Sequence, residues 1–141
     1  MTSAVESMGI QLQRGNGASP ESFTTIAEVK DISGPEITLD TLDVTTHSSS
    51  GHYEEVIPTI LRSGEVTFDV NWVPADATHQ GLITDRDNRT KRTFTMIMTD
   101  PGTATWTFAA YVTKFAVAGP VVGVLGGSIT LKITGQPTLT Y

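Results

Sequence analysis

Alternation of apolar and polar residues is clearest over residues 65–73, where it predicts a β-strand. Every second side chain there is apolar: Val66, Phe68, Val70 and Trp72. Successive side chains of a strand point to opposite faces of a sheet, so this period indicates one buried face and one solvated face. Pro74 is expected to end the strand, because proline cannot donate a ladder hydrogen bond.

The same pattern predicts further strands. Three of them have a defined apolar side: Phe94, Met96 and Met98 within 93–99; Trp106, Phe108, Ala110 and Val112 within 105–117; Ile129, Leu131 and Ile133 within 128–134. Gly135 is expected to close the last strand. Weaker patterns predict strands within residues 8–13, 23–32 and 36–40.

Residues 75–88 are the one segment that favours a helix. Asp76 suits its N-cap, and Leu82 and Ile83 supply its inward side chains. The predicted fold is therefore mainly β: an antiparallel β-sandwich or rolled, barrel-like sheet with one flanking α-helix and a long inter-strand loop. A length of 141 residues fits a single domain, residues 1–141.

The long loop, about residues 40–62, separates two predicted strands and has Ser48-Ser49-Ser50-Gly51 at its centre. Compact β domains usually join strands with much shorter loops, so this one is expected to be functional or mobile. Its apolar side chains predict that it covers a surface of its own domain or of a second copy. These side chains are Val44, Tyr53, Val56, Ile57, Ile60 and Leu61.

Net charge and cysteine content limit the partners and the chemistry that this chain can have. The formal net charge is −6, which does not supply the basic surface of a tight nucleic-acid binder. The absence of cysteine excludes disulfides and thiolate chemistry and fits synthesis in a reducing cytoplasm. No apolar run is long enough to cross a bilayer, so we expect no membrane insertion.

Candidate chemistry in the sequence is weak. Serine, histidine and aspartate occur without a nucleophile elbow. His47 and His52 share the long loop with Glu54 and Glu55, but a serine-rich loop does not hold metal ligands rigidly. We interpret these side chains as solvated, and we predict a protein without enzymatic activity, metal or cofactor.

Two further segments have competing interpretations. Residues 116–127, AVAGPVVGVLGG, are expected to pack against their own domain; if exposed, they would mark a contact surface. A basic cluster at the end of the predicted helix complements the helix dipole, or else forms an ionic patch that docks on an acidic surface of a neighbouring copy. Nucleic-acid binding is a third interpretation of this cluster. It comprises Arg86, Arg89, Lys91 and Arg92.

Three pairs of segments, in this order, resemble the tail tube proteins of bacteriophages with long, non-contractile tails. They are TIAEVKDISGP (25–35) with DTLDVT (40–45), YEEVIP (53–58) with GEVTF (64–68), and AYVTKF (110–115) with ITGQPTL (133–139). The resemblance extends from about residue 23 to residue 140. Residues 121–125 depart from it, because more polar residues are expected there.

The resemblance implies a β-sandwich or barrel-like domain whose copies form hexameric rings, stacked into a hollow tube for genome ejection. It implies as partners other copies of the chain, tape-measure, terminator and baseplate or tip proteins, and transiently double-stranded DNA. It also implies a place in the virion tail, assembled in the bacterial host cytoplasm. The contact between copies would then include Val44, Tyr53, Glu54, Glu55, Val56, Ile57 and Ile60.

In such a tube, polar residues of the alternating strands would help to line the lumen. DNA moving through a tube should not adhere to its wall, and a basic wall would bind the phosphate backbone. A neutral or acidic lumen is therefore expected, with Glu65 and Asp69 as predicted lumen-facing residues.

Two alternative functions stay open at this point. The tube protein of bacterial type VI secretion shares the fold, so a related secretion or tail-like particle is the first. The second is a carbohydrate-binding or adhesin module, in which Trp72, Trp106 and Tyr111 would form a sugar platform. Both tryptophans are in phase with the apolar side of their strands, which favours the core for both.

Overall fold

A computed structural model of the chain describes residues 2–141, which form nine β-strands, one α-helix and one short 3-10 turn. The elements are β1 (Gln11–Gly15), β2 (Phe23–Thr25), β3 (Val29–Ser33), β4 (Thr38–Asp43), β5 (Val56–Arg62), β6 (Glu65–Asn71), α1 (Ala77–Asn88), β7 (Lys91–Ile97), β8 (Thr105–Ala118) and β9 (Gly126–Thr140). The mainly β, antiparallel fold with one flanking helix is confirmed.

Within residues 2–141, seven strands form one antiparallel sheet in the order β2-β1-β7-β8-β9-β6-β3. The long strands β8 and β9 pair along their length, β7 pairs with the first half of β8, and β6 pairs with the first half of β9. Register shifts interrupt the β8–β9 pairing between Thr107 and Ala109 and between Val112 and Lys114. Such bulges bend and twist a sheet, so the two halves can turn towards each other.

Residues 26–28 connect opposite ends of this sheet, from β2 to β3. An extended chain spans at most about 3.6 Å per residue, so these edge strands are no more than about 14 Å apart at this point. The Ile26 N–H donates to the Leu12 carbonyl at 2.9 Å, and the Asn71 N–H donates to the Glu28 carbonyl at 3.0 Å. The sheet is therefore rolled, with the bridge of residues 26–28 between its two edges.

The hydrophobic core lies inside the roll. Phe94 and Phe108 face each other across β7 and β8, with their rings stacked at a centroid distance of 6.0 Å. The inward positions predicted from alternation are buried in β6, β8 and β9: Val66, Phe68, Val70, Phe108, Ala110, Val112, Ile129, Leu131 and Ile133. Trp72 and Trp106 are partly buried and pack against this core.

Helix α1 has the predicted N-cap. The Thr78 N–H donates to Asp76 Oδ1 at 2.8 Å, and a hydrogen bond from the Thr78 side chain holds the pKa of the Asp76 carboxyl below its usual value. The helix ends at Arg89, which takes the left-handed conformation of a C-cap with φ of 55°. Leu82 is buried, as predicted, and Ile83 is partly buried against the core.

The helix covers the bridge of residues 26–28 through a buried histidine. His79 is fully buried; its Nδ1 accepts the Val73 N–H at 3.1 Å, and its Nε2 lies 2.7 Å from the Ala27 carbonyl oxygen. Since Nδ1 accepts, the proton lies on Nε2, which donates to Ala27. The Ala27 N–H in turn donates to Thr78 Oγ1 at 3.2 Å. His79 is therefore a satisfied structural residue.

An ion cluster joins α1 to the sheet around Asp85, whose side chain is only 1% exposed. Arg14 binds both carboxylate oxygens, with Nε–Oδ2 at 2.5 Å and Nη2–Oδ1 at 2.8 Å. Arg92 adds an Nε–Oδ1 bond of 3.1 Å and donates from Nη1 to the Asn16 carbonyl at 2.7 Å. One carboxylate thus links β1, α1 and β7.

Several predicted boundaries are wrong. The strand expected within residues 23–32 is two strands, β2 and β3, because the chain crosses between sheet edges at 26–28. Gly135 does not end the last strand: it takes φ of 80° inside β9, where Gly135–Pro137 lie opposite a single residue of β8. The predicted long loop is also shorter, because residues 40–43 and 56–62 are strand.

We predict that Asp85→Ala lowers the free energy of unfolding by about 3 kcal/mol, because it leaves two largely buried guanidinium groups without their carboxylate. Asp87→Ala is the matched control, since Asp87 is an exposed carboxylate paired with Arg86 at 2.9 Å, and such pairs contribute about 1 kcal/mol or less. Urea unfolding monitored by tryptophan fluorescence measures both. Equal midpoints for the two variants would contradict the role of the cluster.

Candidate functional site

Strands β4 and β5 form a separate two-stranded antiparallel sheet, here called the projecting hairpin (residues 38–62). Leu39 faces Leu61 and Leu42 faces Ile57 across it, with a register shift between these pairs. All seven residues of β5 are exposed, and so are all those of β4 except Asp40, which is half-buried. The hairpin therefore stands clear of the core.

The projecting hairpin carries apolar side chains that residues 2–141 leave exposed to a large extent. Leu61 is 69% exposed and Tyr53 is 78% exposed. An isolated two-stranded hairpin is at best marginally stable in water, so burial against another surface would stabilise this one. The predicted contact residues all lie on it and are exposed: Val44, Tyr53, Glu54, Glu55, Val56, Ile57 and Ile60. Leu61, predicted from its apolar character to cover a surface, is exposed as well, whereas the sequence analysis did not single out the exposed Leu39 and Leu42 of β4 or Ile37 just before it.

The tip of the hairpin, residues 44–55, forms several hydrogen bonds of its own, although the length of the loop predicts a functional or mobile segment. Ser49 is buried; its Oγ donates to Glu55 Oε2 at 2.9 Å and accepts the Thr46 N–H at 3.0 Å. The Glu55 N–H donates to Thr45 Oγ1 at 2.8 Å. Hydrogen bonds from Thr45 also lower the pKa of the Asp43 carboxyl; the bond from the Thr45 side chain has the larger effect and the bond from its N–H the smaller one.

The histidines of the tip do not belong to a metal cluster. His47 and His52 are exposed, and residues 2–141 contain no group of three or more histidine, aspartate or glutamate side chains placed to hold a metal ion. In the same part of the chain, no helix has the length and apolarity required to cross a membrane.

A groove of about 590 Å³ lies where the projecting hairpin meets β9. Its apolar lining includes Ile60 and Leu61 from the hairpin and Ile133 and Pro137 from β9. Arg62 and Lys132 also line it. We call this the hairpin-root groove, and it is an opening that an apolar segment could fill.

The outward side of the central strands forms a polar sheet face that contains both predicted lumen residues. Glu65 lies opposite Lys132, and Asp69 lies opposite Ser128. Lys114 lies opposite Thr130 on the same face, so two lysines offset the two carboxylates. Hydroxyl groups make up much of the rest. The face comprises Glu65, Thr67, Asp69, Thr107, Ala109, Tyr111, Lys114, Ser128, Thr130, Lys132 and Thr134.

The basic cluster is divided by the fold. Arg92 is engaged with Asp85 and Asn16 inside the domain, and Arg86 binds Asp87 Oδ1 at 2.9 Å. Arg89 and Lys91 are exposed. The structure thus leaves two of the four cations on the surface without bringing all four into one patch.

Parts of the long strands present an unpaired backbone edge. Among residues 2–141, β7 pairs with β8 only as far as Tyr111, and β6 pairs with β9 only as far as Lys132. Residues 112–118 and 134–140 therefore have a neighbouring strand on one side only. Open edges of this kind pair readily with strands of another chain.

The aromatic side chains do not form an exposed platform. Trp72 packs edge-on against Phe115 at a centroid distance of 5.7 Å, and Trp106 packs against the core. Tyr111 is exposed on the polar sheet face. The sugar-binding alternative therefore lacks the flat stacking surface that it requires.

The connection between β8 and β9 differs from expectation. Residues 119–125, here called the valine loop, do not pack against their own domain: Val121 and Val122 are 103% and 92% exposed. Val124 and Leu125 are exposed as well. The loop is anchored where the Trp72 N–H donates to the Leu125 carbonyl at 2.9 Å.

The fold holds its core inside one copy, whereas the projecting hairpin, the open edges and the valine loop are surfaces that suit other protein chains. Such surfaces are typical of a structural subunit that assembles with other protein chains. The family model of the lambda phage tail tube protein matches residues 11–140, so the chain belongs to this family, and the resemblance found in the sequence is confirmed.

Solved structures with the same fold come from several tube assemblies. The chain is similar to a protein in the tail of an empty gene transfer agent particle refined with C6 helical symmetry, with a TM-score of 0.80, 18% identity and coverage of 98% of this chain and 100% of that one. It is similar to a chain of the sheath/tube terminator of the PVC extracellular contractile injection system, with a TM-score of 0.75, 15% identity and coverage of 100% and 99%. The SPP1 tail tube protein gives a TM-score of 0.73, 10% identity and coverage of 96% and 78%.

At these identities the structural likenesses establish the fold alone. A search of curated protein sequences finds no match. Membership of the family therefore rests on the family model, and the shared fold agrees with it.

We predict that Ser49→Ala loosens the tip of the projecting hairpin without unfolding the domain. One hydrogen bond contributes about 0.5–1.5 kcal/mol, so the Thr46 amide should exchange with solvent about two- to tenfold faster. Ser48→Ala, which removes an exposed hydroxyl, is the control. Hydrogen exchange followed by NMR measures both, and an unchanged rate at Thr46 would show that Ser49 does not order the tip.

Proposed function

We propose that the chain polymerises as hexameric rings, stacked into the hollow tail tube through which a phage genome leaves the particle. The observation that supports this most is the projecting hairpin, whose apolar residues have no cover in their own domain. The core is complete within one copy, so the surface that covers these residues has to come from another chain. We propose that this chain is a second copy. The proposal includes the absence of catalytic activity.

Each predicted contact residue has a distinct role in this proposal. Tyr53, Val56, Ile57 and Ile60 supply apolar area that becomes buried between copies, with Val44 at the start of the tip. Glu54 and Glu55 are exposed acidic residues of the same tip. They give the exposed Arg89 and Lys91 of a neighbouring copy a surface of opposite charge, which favours correct docking more than it adds affinity.

The polar sheet face is proposed to line the lumen. Duplex DNA carries about one negative charge per 1.7 Å, so a strongly basic wall would retain it by counterion release. The face carries Glu65, Asp69, Lys114 and Lys132 among mostly hydroxyl-bearing side chains. This nearly neutral character supports a wall along which DNA moves without being held.

The remaining partners and the location follow from the tube. A tube requires a terminator at one end and a baseplate or tip at the other, and its lumen would hold a tape-measure protein during assembly. Structural neighbours include a tube-terminating cap and a baseplate of the anti-feeding prophage. We propose the virion tail as the site of action, with assembly in the cytoplasm of the bacterial host.

A tube of a contractile injection system is the second candidate. The fold is similar to chains of such systems, with TM-scores of 0.75 and 0.71, which favours it as a related particle. The match of the lambda phage tail tube family over residues 11–140 favours the phage tail.

Negative-stain microscopy of concentrated protein tests the proposal directly. We expect tubes of uniform width from the native chain and none from Ile57→Asp, because each contact would then bury an unpaired charge. A cost above 1.4 kcal/mol per contact raises the concentration needed for tubes at least about tenfold.

Val5→Asp is the matched control, since it adds the same charge at an exposed apolar position of the N-terminal segment, outside the proposed contacts. It should form tubes like the native chain. Circular dichroism of the Ile57→Asp variant should be native-like, because Ile57 is exposed in the single copy. Normal tubes from Ile57→Asp would exclude the hairpin from the contact.

A second prediction concerns the lumen. Helical reconstruction of native tubes by cryo-electron microscopy should show Glu65, Asp69 and the neighbouring hydroxyl groups directed into the bore. The physical reason is that the opposite face of these strands is already the core. A bore lined chiefly by lysine and arginine would contradict this assignment.

A further inference from the structure

The valine loop, residues 119–125, is the most exposed apolar segment that the proposed contacts leave without a role. Its sequence GPVVGVL has no charged side chain, and Val121 and Val122 are almost completely exposed. Exposed apolar patches of this kind mark contact sites on soluble proteins. Burying the loop would therefore remove no ion from water. A charged group at the centre of the partner surface would lose its water without meeting an opposite charge, so we expect that centre to be uncharged.

The valine loop and the projecting hairpin leave the sheet at opposite ends of β6. Asn71, at one end, pairs with Gly126 just after the loop, whereas Glu65, at the other, follows directly on the hairpin. Six residue steps separate these ends, about 20 Å at the usual rise of a strand. The loop and the root of the hairpin are therefore separated by the length of β6 within one copy.

The hairpin-root groove has the properties that the valine loop requires of a partner. It is lined by the apolar Ile37, Ile60, Leu61, Ile133 and Pro137, and its volume of about 590 Å³ is large enough for side chains of valine size. Its two charged lining residues are Arg62 and Lys132. Arg62 is paired with Asp40 at 2.7 Å, and Lys132 lies opposite Glu65 on the neighbouring strand.

We propose that the hairpin-root groove of one copy receives the valine loop of a second copy, so that copies join end to end. Each copy carries one hairpin-root groove and one valine loop, at opposite ends of β6. Contact between two different surfaces of identical chains is heterologous, and it continues to the next copy instead of closing as a dimer. The inference rests on the proposed tube, and it identifies which two surfaces meet between successive rings.

Cysteine cross-linking tests this contact, because the native chain has no cysteine. Two single variants, Val122→Cys and Ile60→Cys, are mixed, allowed to form tubes and treated with a short bismaleimide. We expect a cross-linked dimer from the mixture and little from either variant alone. The double variant should give a ladder of multimers, because each copy then carries both ends. Val5→Cys replaces Val122→Cys as the control, since Val5 is also exposed but lies on the N-terminal segment.

Assembly of the charged variant gives an independent readout. Val122→Asp should leave single rings and abolish long tubes, whereas Val5→Asp should leave both. If tubes form but Val122 cross-links only to itself or not at all, the contact is overturned while the tube function stands. Long tubes from Val122→Asp would overturn it too. Failure of the native chain to form any tube would overturn the proposed function and this contact together.

Discussion

Residues 26–28 have to join both ends of the large sheet, and this short connection determines how the rest of the domain is arranged. The sheet must roll, and its apolar side then becomes a single interior. Helix α1 covers the bridge through His79 and Thr78, and Asp85 fastens the helix to two strands. Because the interior is completed within one copy, the projecting hairpin and the valine loop remain free for other copies.

Local patterns predicted the parts of the fold that local physics determines. Alternation in β6, β8 and β9 identified the buried side chains, because each strand has one core face. Asp76 was recognisable as an N-cap because capping involves only the next two or three residues. The position of Asp85 was not predictable: in a run of charged residues it resembles a solvated side chain, and only the tertiary fold brings Arg14 to it.

The same limits apply to the candidate site. Residues 40–62 stand out by length and apolar content. Neither strand of the hairpin has a core face, so their alternation is weak and the sequence predicts a loop there. Gly135 was interpreted as a strand end because nothing nearby indicates that the chain continues past a bulge. The valine loop was expected to be covered, since apolar residues usually are, and its exposure could be seen only in the folded chain.

The hydroxyl-rich polar sheet face has a consequence for the environments in which a tube could operate. Fixed charges are screened by dissolved ions, with a Debye length that falls from about 30 Å at 0.01 M to about 8 Å at 0.15 M. Threonine and serine hydroxyls bind water by hydrogen bonds that ionic strength hardly changes. A conduit lined mainly by them would therefore offer passing DNA the same wetted surface in fresh water, in brine and in the cell interior.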